Sequence, residues 1–173
     1  MFFILTLPFA VQGLVMFVDE FYYHHKRGLG RWERWGHPLD TLTVLCCFAV
    51  LVFAPTTPFF VILYLIFASF SCVFVTKDEF VHSKECDAGE QWLHALLFIL
   101  HPVIMIAGGV CWLVSDAGNA LGQSLLKYFN APEVPTWIHS MLVGQFVLVC
   151  AFGAYQFVYW NILQPRKNIR ALM

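Results

Sequence analysis

The sequence predicts an all-α integral membrane protein of about five transmembrane helices. The first four form two tandem helical hairpins in a four-helix bundle, and a fifth helix stands beside them. Three observations predict this. Of the 173 residues, 60% are hydrophobic and only 12% charged, with a mean hydropathy of +0.69, whereas a soluble domain is nearer a quarter charged. Five apolar stretches are long enough, or nearly so, to cross a hydrocarbon core. A constellation of acidic residues and histidines occurs twice, each time where one apolar stretch hands over to the next.

The apolar stretches are roughly 2–23, 38–54, 58–76, 91–115 and 136–163. Each is expected to be a helix, because only helices and closed barrels satisfy their backbone in lipid. The first lacks a basic region before its apolar run and a small-residue cleavage site, and it leads straight into Asp19. It therefore reads as a span rather than a signal peptide. The second is short. Pro38 suits its first turn, which would leave Glu33 on the preceding loop and call for flanking residues or a thinned bilayer. The third follows a tight turn, Ala54-Pro55-Thr56-Thr57-Pro58. Gly108-Gly109 in the fourth, and Gly144 and Gly153 in the fifth, are small positions that permit close helix contact. Between the fourth and fifth, segment 116–135 spaces Leu121, Leu125, Leu126 and Phe129 for a short amphipathic helix on the outer surface. The chain, 1–173, reads as one transmembrane domain: repeat one over 2–54, repeat two over 58–115, the outer segment, helix five and a basic tail from 164.

Orientation follows from the basic residues. Lys26, Arg27, Arg31 and Arg34 lie in the first loop, Lys77 and Lys84 in the third, and Arg166, Lys167 and Arg170 in the tail; Lys127 alone falls on the other side. Nine of ten on one side is a positive-inside signal, placing the N-terminus outside and the C-terminus in the cytoplasm. A net charge of −1 and the absence of a basic run argue against a nucleic-acid partner. The six cysteines lie mostly in apolar stretches and form no Cys-x-x-Cys pair, so they read as packing residues. Cys86 is the exception, four residues after His82.

The first constellation runs Asp19-Glu20-Phe21, His24-His25, then Glu33-Arg34-Trp35-Gly36-His37; the second runs Asp78-Glu79-Phe80, His82, then Glu90-Gln91-Trp92-Leu93-His94. Aligned on Glu-x-Trp-x-His, seven residues separate His25 from Glu33 and seven separate His82 from Glu90. A further short shift brings Asp-Glu-Phe into register. Nine of the eleven acidic residues lie between Asp19 and His94. Ionisable groups at a bilayer edge are costly unless paired or bound, and carboxylate with imidazole is a transition-metal ligand set. The expected ligands are Glu20, Glu33, Glu79, Glu90, His37, His82 and His94, with His24 and His25 competing for one role. His24 shares a helical face with Glu20, whereas His25 fits the repeat register. Asp19 and Asp78 are read as second-sphere acceptors that orient a histidine. Asp40 and His101, which lack counterparts, are candidates for a substrate or proton element. Helix five, with Gln145, Tyr155, Gln156 and Tyr159, is expected to complete the bundle and wall off the site. The competing account is a polar network in which the acids pair with Lys26, Arg27, Arg31 or Arg34.

Di-iron carboxylate bundles draw a Glu from each of two helices and Glu-x-x-His from the other two. This chain resembles that ligand logic, with more histidine. In its histidine richness at one membrane face it also resembles the membrane desaturases and hydroxylases. It has no His-x-x-His-His box, and Glu79 with His82 is its one Glu-x-x-His. The expected cofactor is two divalent metal ions, iron first, with zinc or manganese as alternatives. The expected function is an oxidoreductase acting on a hydrophobic small molecule, a lipid or quinone-like compound, with an electron donor. The alternatives are a metal-dependent hydrolase of lipid amides or esters, and divalent-metal transport or sensing.

Overall fold

The computed structural model describes residues 2–131 and 134–164, and within them every side chain but those of Val81, Lys84 and Glu85; all regular elements among these residues are helical. Helix α1 (Phe2–Val18) passes through a π-helical turn, Asp19–His24, into the short α2 (His25–Arg27). Then come α3 (Glu33–Phe53), α4 (Pro58–Phe74), α5 (Thr76–Glu85), α6 (Ala88–Ser115), α7 (Ala120–Tyr128) and α8 (Trp137–Phe157). Helix α8 ends in a second π-helical turn, Val158–Leu163. Five helices are long and apolar enough to cross a membrane: Phe2–Arg27, Glu33–Phe53, Pro58–Phe80, Ala88–Ser115 and Trp137–Leu163. The basic tail, with Arg166, Lys167 and Arg170, lies outside the described residues.

The second span meets one expectation and corrects another. The short apolar stretch takes in flanking residues, giving a span of Glu33–Phe53, but Pro38 does not start it: α3 begins at Glu33, and Pro38 lies inside it. Proline has no N–H for the carbonyl four residues back, here that of Arg34, and an unpaired carbonyl destabilises a buried helix. The structure fills the gap from the fifth span, where the Asn161 amide donates to the Arg34 carbonyl at 2.8 Å. Glu33 is thereby helical, on the same face as His37 one turn on.

Local chemistry sets the other ends. The first span stops at Gly28, whose φ of +79° is a left-handed conformation that favours glycine, and its N–H caps the His24 carbonyl at 2.7 Å. Pro58 opens α4 at a position where no N–H is needed. Asp87 caps α6 by accepting from the Glu90 N–H at 3.0 Å. The expected outer helix is α7, with Leu126 turned inward and Leu121 and Phe129 outward. It lies so close to the end of α6 that a Cβ at Gly122 would fall 2.1 Å from the Leu113 carbonyl oxygen. On the same side, Asp116 accepts from Thr56 Oγ1 and from the Gly118 N–H. These bonds, Thr56 first, hold its carboxyl below the usual range.

Helix α1 packs on α6, α3 packs on α4 and most extensively on α8, and α6 also touches α3, α4 and α8. The core between them is apolar: Phe9, Phe48, Leu51, Ile104, Ile138 and Leu142 are all buried. Tyr64 is buried with its hydroxyl donating to the Met105 carbonyl at 2.6 Å, as a buried phenol requires. Large side chains such as Phe3, Ile4, Phe59, Ile66, Val73 and Ile106 face outward, the reverse of a water-soluble surface. One end of this bundle is different, and there the acids and histidines meet.

Candidate metal centre

Four spans each bring one histidine to a common centre: His24, His37, His82 and His94. The ring centroids of His24 and His37 are 4.8 Å apart, and those of His82 and His94 are 3.7 Å apart. The crossed pairs His24–His94 and His37–His82 both measure 6.0 Å. Carboxylates interleave with the rings. His24 Nε2 lies 3.3 Å from Asp19 Oδ2 and 3.5 Å from Glu90 Oε1, and His94 Nε2 lies 3.1 Å from Asp19 Oδ1. On the opposite side His82 Nε2 lies 3.4 Å from Glu33 Oε1. One ligand atom from each of Asp19, His24, Glu90 and His94 falls within 4.8 Å of all the others. Glu33, His82 and Cys86 form a second such group, and Glu20, His24 and His37 a third.

These approaches are close but poorly aligned for hydrogen bonding. Asp19 Oδ1, Asp78 Oδ1 and the Nε2 atoms of His24, His82 and His94 are buried without a hydrogen-bond partner. Such orphans are rare in a folded interior, because each one forfeits its hydration. Here all but Asp78 Oδ1 converge. Atoms that ligate one ion at about 2.0–2.2 Å sit roughly 3.0–3.5 Å from each other, the range in which these nitrogens and oxygens are found.

The two halves of the site correspond by local geometry. His24 follows Asp19 by five residues, while His82 follows Asp78 by four. The Asp19–His24 segment is a π-helical turn, which accommodates one more residue than an α-turn. His24 consequently occupies, relative to Asp19, the place of His82 relative to Asp78. His25 points elsewhere: it is exposed, takes the Glu20 carbonyl on Nδ1 at 2.8 Å, and stacks on Tyr159 with centroids 4.8 Å apart. The structure therefore brings His24, and not His25, into the cluster.

Of the other expected ligands, Glu33, Glu90, His37, His82 and His94 are brought together. Asp19, read as a second-sphere acceptor, faces the centre. Glu20 also reaches it, in a group with His24 and His37, its carboxylate 3.3 Å from His24 Nδ1 and accepting from Trp160 Nε1 at 2.5 Å and Gln156 Nε2 at 3.4 Å. Thr41 in turn donates to Gln156 Oε1 at 2.7 Å. Neighbouring residues on a helix point about 100° apart, and an Asp-Glu pair alone does not say which one faces in. Glu79, the sequence counterpart of Glu20, is exposed and outside the cluster, although it lines the adjoining cavity. Asp78 is buried, with Oδ1 3.2 Å from Lys77 Nζ. Lys77 also holds Asp40 at 2.6 Å. His101 bonds Ser71 at 2.9 Å, well inside the bundle.

Sequence reasoning missed two residues of the site, Trp160 and Gln156. Arg27, read as an orientation signal and, in the competing account, as a partner of the acids, does pair with them, and its guanidinium bridges the halves. NH2 is 2.6 Å from Glu33 Oε1 and 2.8 Å from Glu90 Oε1, NH1 is 2.9 Å from Glu33 Oε2, and Nε adds a 3.2 Å bond to Glu90. Trp160 and Gln156, four residues apart on the fifth span, were read as wall. Their i, i+4 spacing was the available signal. Cys86 sits beside Glu33 and Glu90; burial, then the Glu90 charge, pushes its thiol up to about 12, so at neutral pH it is a thiol.

The charges do not balance within the described residues. Asp19, Glu20, Glu33, Asp40, Asp78 and Glu90, all buried or partly buried, face two cations, Arg27 and Lys77. The carboxylates outnumber the cations. Protonating the histidines would narrow the excess. At the 3.7 Å that separates His82 and His94, however, two imidazoliums repel by about 4 kcal/mol even at an effective dielectric of about 20.

A cavity of about 400 Å³ opens from the cluster into the bundle. Asp19, His24, His37, Asp78, His82 and His94 line one end, and apolar side chains such as Phe9, Met16, Val44, Phe48, Leu97 and Phe152 line much of the rest. No protein-family profile, curated protein or solved structure matches the chain.

Proposed function

We propose that the chain is a membrane metalloprotein whose two tandem helical hairpins, related by a pseudo-twofold axis along the membrane normal, hold two divalent metal ions in a shared site. In this reading Asp19, His24, Glu90 and His94 hold one ion, and Glu33 and His82, with Cys86 within ligand reach, hold the other. Four orphaned buried donor atoms, Asp19 Oδ1 and the Nε2 atoms of His24, His82 and His94, converge from different helices and carry the proposal. Matched distances support the repeat: His24–Glu90 at 3.5 Å answers His82–Glu33 at 3.4 Å, and the two crossed histidine pairs are equal at 6.0 Å. The excess of carboxylates over cations at the cluster favours bound cations, as a poorly solvated site demands.

Imidazole mixed with carboxylate suits iron or manganese, whereas zinc sites seldom use so many carboxylates. We assign iron and an oxidoreductase activity on an apolar substrate, a lipid or quinone-like molecule entering through the cavity. A dinuclear iron site supplies two-electron chemistry with dioxygen, the electrons coming from the substrate or an external donor. The chain's own groups do the rest. Glu20, held by Trp160 and Gln156, fixes the tautomer and aim of His24. Arg27 keeps Glu33 and Glu90 at one spacing. The apolar walls exclude water and orient the substrate. The hydrolase alternative is weaker: Ser83, the serine beside His82, is exposed and donates to the Phe80 carbonyl at 3.4 Å. Orientation is proposed from the basic residues, with the cluster at the cytoplasmic face.

The test is metal analysis of protein purified without chelator, combined with its optical spectrum. Two irons per chain with iron-dependent near-ultraviolet absorption is the expected result. One zinc per chain would favour the hydrolase, and no bound metal after supplementation with iron, manganese or zinc would end both readings.

A further inference from the structure

Among the polar side chains in the cavity wall away from the cluster, which include Gln145 on α8, two stand out. Gln12 on α1 is buried, and its Oε1 has no hydrogen-bond partner. Its amide nitrogen has only a 4.0 Å contact with Met16 Sδ. His101 on α6 is also buried and bonds Ser71 through Nε2. Both line the cavity. Their depth follows from helix register. Asp19 on α1 touches His94 on α6 at 3.1 Å, and the two helices pack together and run in opposite directions. Gln12 precedes Asp19 by seven residues, and His101 follows His94 by seven. Each therefore lies two turns, about 10 Å, further into the bundle than the Asp19–His94 contact. Both are on the cavity side.

An amide placed unpaired in such a wall destabilises the free protein unless something completes it. The surroundings say what. Neither Gln12 nor His101 has an ion-pair partner among the described residues, and the rest of the wall away from the cluster is apolar or neutral, as at Gln145 and Thr41. A carboxylate or phosphate at that depth would carry an unbalanced charge, whereas a neutral oxygen would not. We propose that Gln12 and His101 form a second, metal-free binding station. It takes the hydroxyl or carbonyl oxygen of a long apolar molecule whose chain fills the cavity. Resting on the reading of the cluster as the reacting centre, this names the substrate class: a neutral lipid-like molecule with an oxygen about 10 Å from the carbon presented to the metals.

The test uses full-length protein in nanodiscs with two photoreactive probes, a dodecyl alcohol and the matching dodecane, each carrying a diazirine at the same chain carbon. Mass spectrometry locates the labels, and metal content is measured on the same samples. The alcohol should label the cavity faces of α1 and α6 roughly fivefold more than the alkane, the preference one hydrogen bond of ordinary strength supplies. Gln12→Met, which keeps the volume, should bring that ratio close to one with metal content unchanged, and His101→Phe should lower it likewise. Equal labelling by the two probes in the wild-type protein would overturn the proposal without any variant. So would a preference that survives both substitutions, or loss of metal in Gln12→Met, which would assign Gln12 to the cluster. A wild-type protein that holds no metal but keeps the alcohol preference would refute the metal reading and leave the station standing.

Discussion

Adjacent histidines give the sharpest test of the centre. His24 touches three carboxylates, at 3.3 Å to Asp19, 3.3 Å to Glu20 and 3.5 Å to Glu90, and is almost wholly buried. His25 is exposed, and its polar contacts are the Glu20 carbonyl at 2.8 Å and the Tyr155 hydroxyl at 3.3 Å. His24→Ala removes a ligand from one ion and strands buried carboxylates, a change that costs about 3–5 kcal/mol where a buried partner is lost. His25→Ala gives up one or two partly solvated hydrogen bonds and some stacking, about 1 kcal/mol. Metal content by mass spectrometry should read two ions per chain in the wild type and in His25→Ala, and no more than one in His24→Ala. Thermal unfolding in detergent should show the larger loss for His24→Ala. Equal metal loss from both variants, or two ions retained by His24→Ala, would refute the assignment of His24 and the role of the π-helical turn with it.

Four further outcomes follow from other contacts. Arg27→Gln leaves Glu33 and Glu90 facing each other without a cation, so chelator-treated protein should lose about 3–5 kcal/mol and metal-loaded protein less; equal losses on unfolding with and without chelator would argue for a salt-bridge network in place of a metal site. Glu20→Gln should weaken metal affinity by roughly 10–100-fold, measured by competition with a chelator of known affinity, while Glu79→Gln should leave it unchanged. Asn161→Leu should destabilise the protein by about 1–3 kcal/mol with two ions retained, because it orphans the Arg34 carbonyl above Pro38. Reporter fusions after residue 56 should read external and fusions after residue 85 cytoplasmic; the reverse pattern would reject the orientation and spare the metal site.

What the sequence made legible is what hydropathy and residue chemistry carry. The five long apolar helices and the outer α7 follow from composition and spacing, and the clustering of acids with histidines follows from how seldom such groups enter apolar segments. The register within the cluster was not legible. The identical loop lengths from His25 to Glu33 and from His82 to Glu90 point to His25, because a count along the chain takes every turn as α-helical. The π-helical turn at Asp19–His24 changes that count locally, and the same phase change turns Asp19 inward and Glu20 toward the fifth span. Nothing in a hydrophobic pattern reports it.

The fifth span explains why the halves are alike at the histidine cluster and unlike behind it. Its C-terminal end also winds as a π-helix, Val158–Leu163, and from it Trp160 reaches Glu20 and Asn161 reaches Arg34. Both contacts fall on repeat one. In repeat two, among the described residues, Glu79 has no equivalent partner and stays exposed, and Lys77 holds Asp78 and Asp40 instead. A tandem repeat alone would offer two equivalent environments. Packing a single extra helix against α3 desolvates and orients one carboxylate–histidine pair and leaves the other open toward the cavity. The two carboxylate–histidine sets thereby share residue types and differ in support, and in the proposed metal centre the less supported side, around His82 and the exposed Glu79, is where exchange with solvent meets least obstruction.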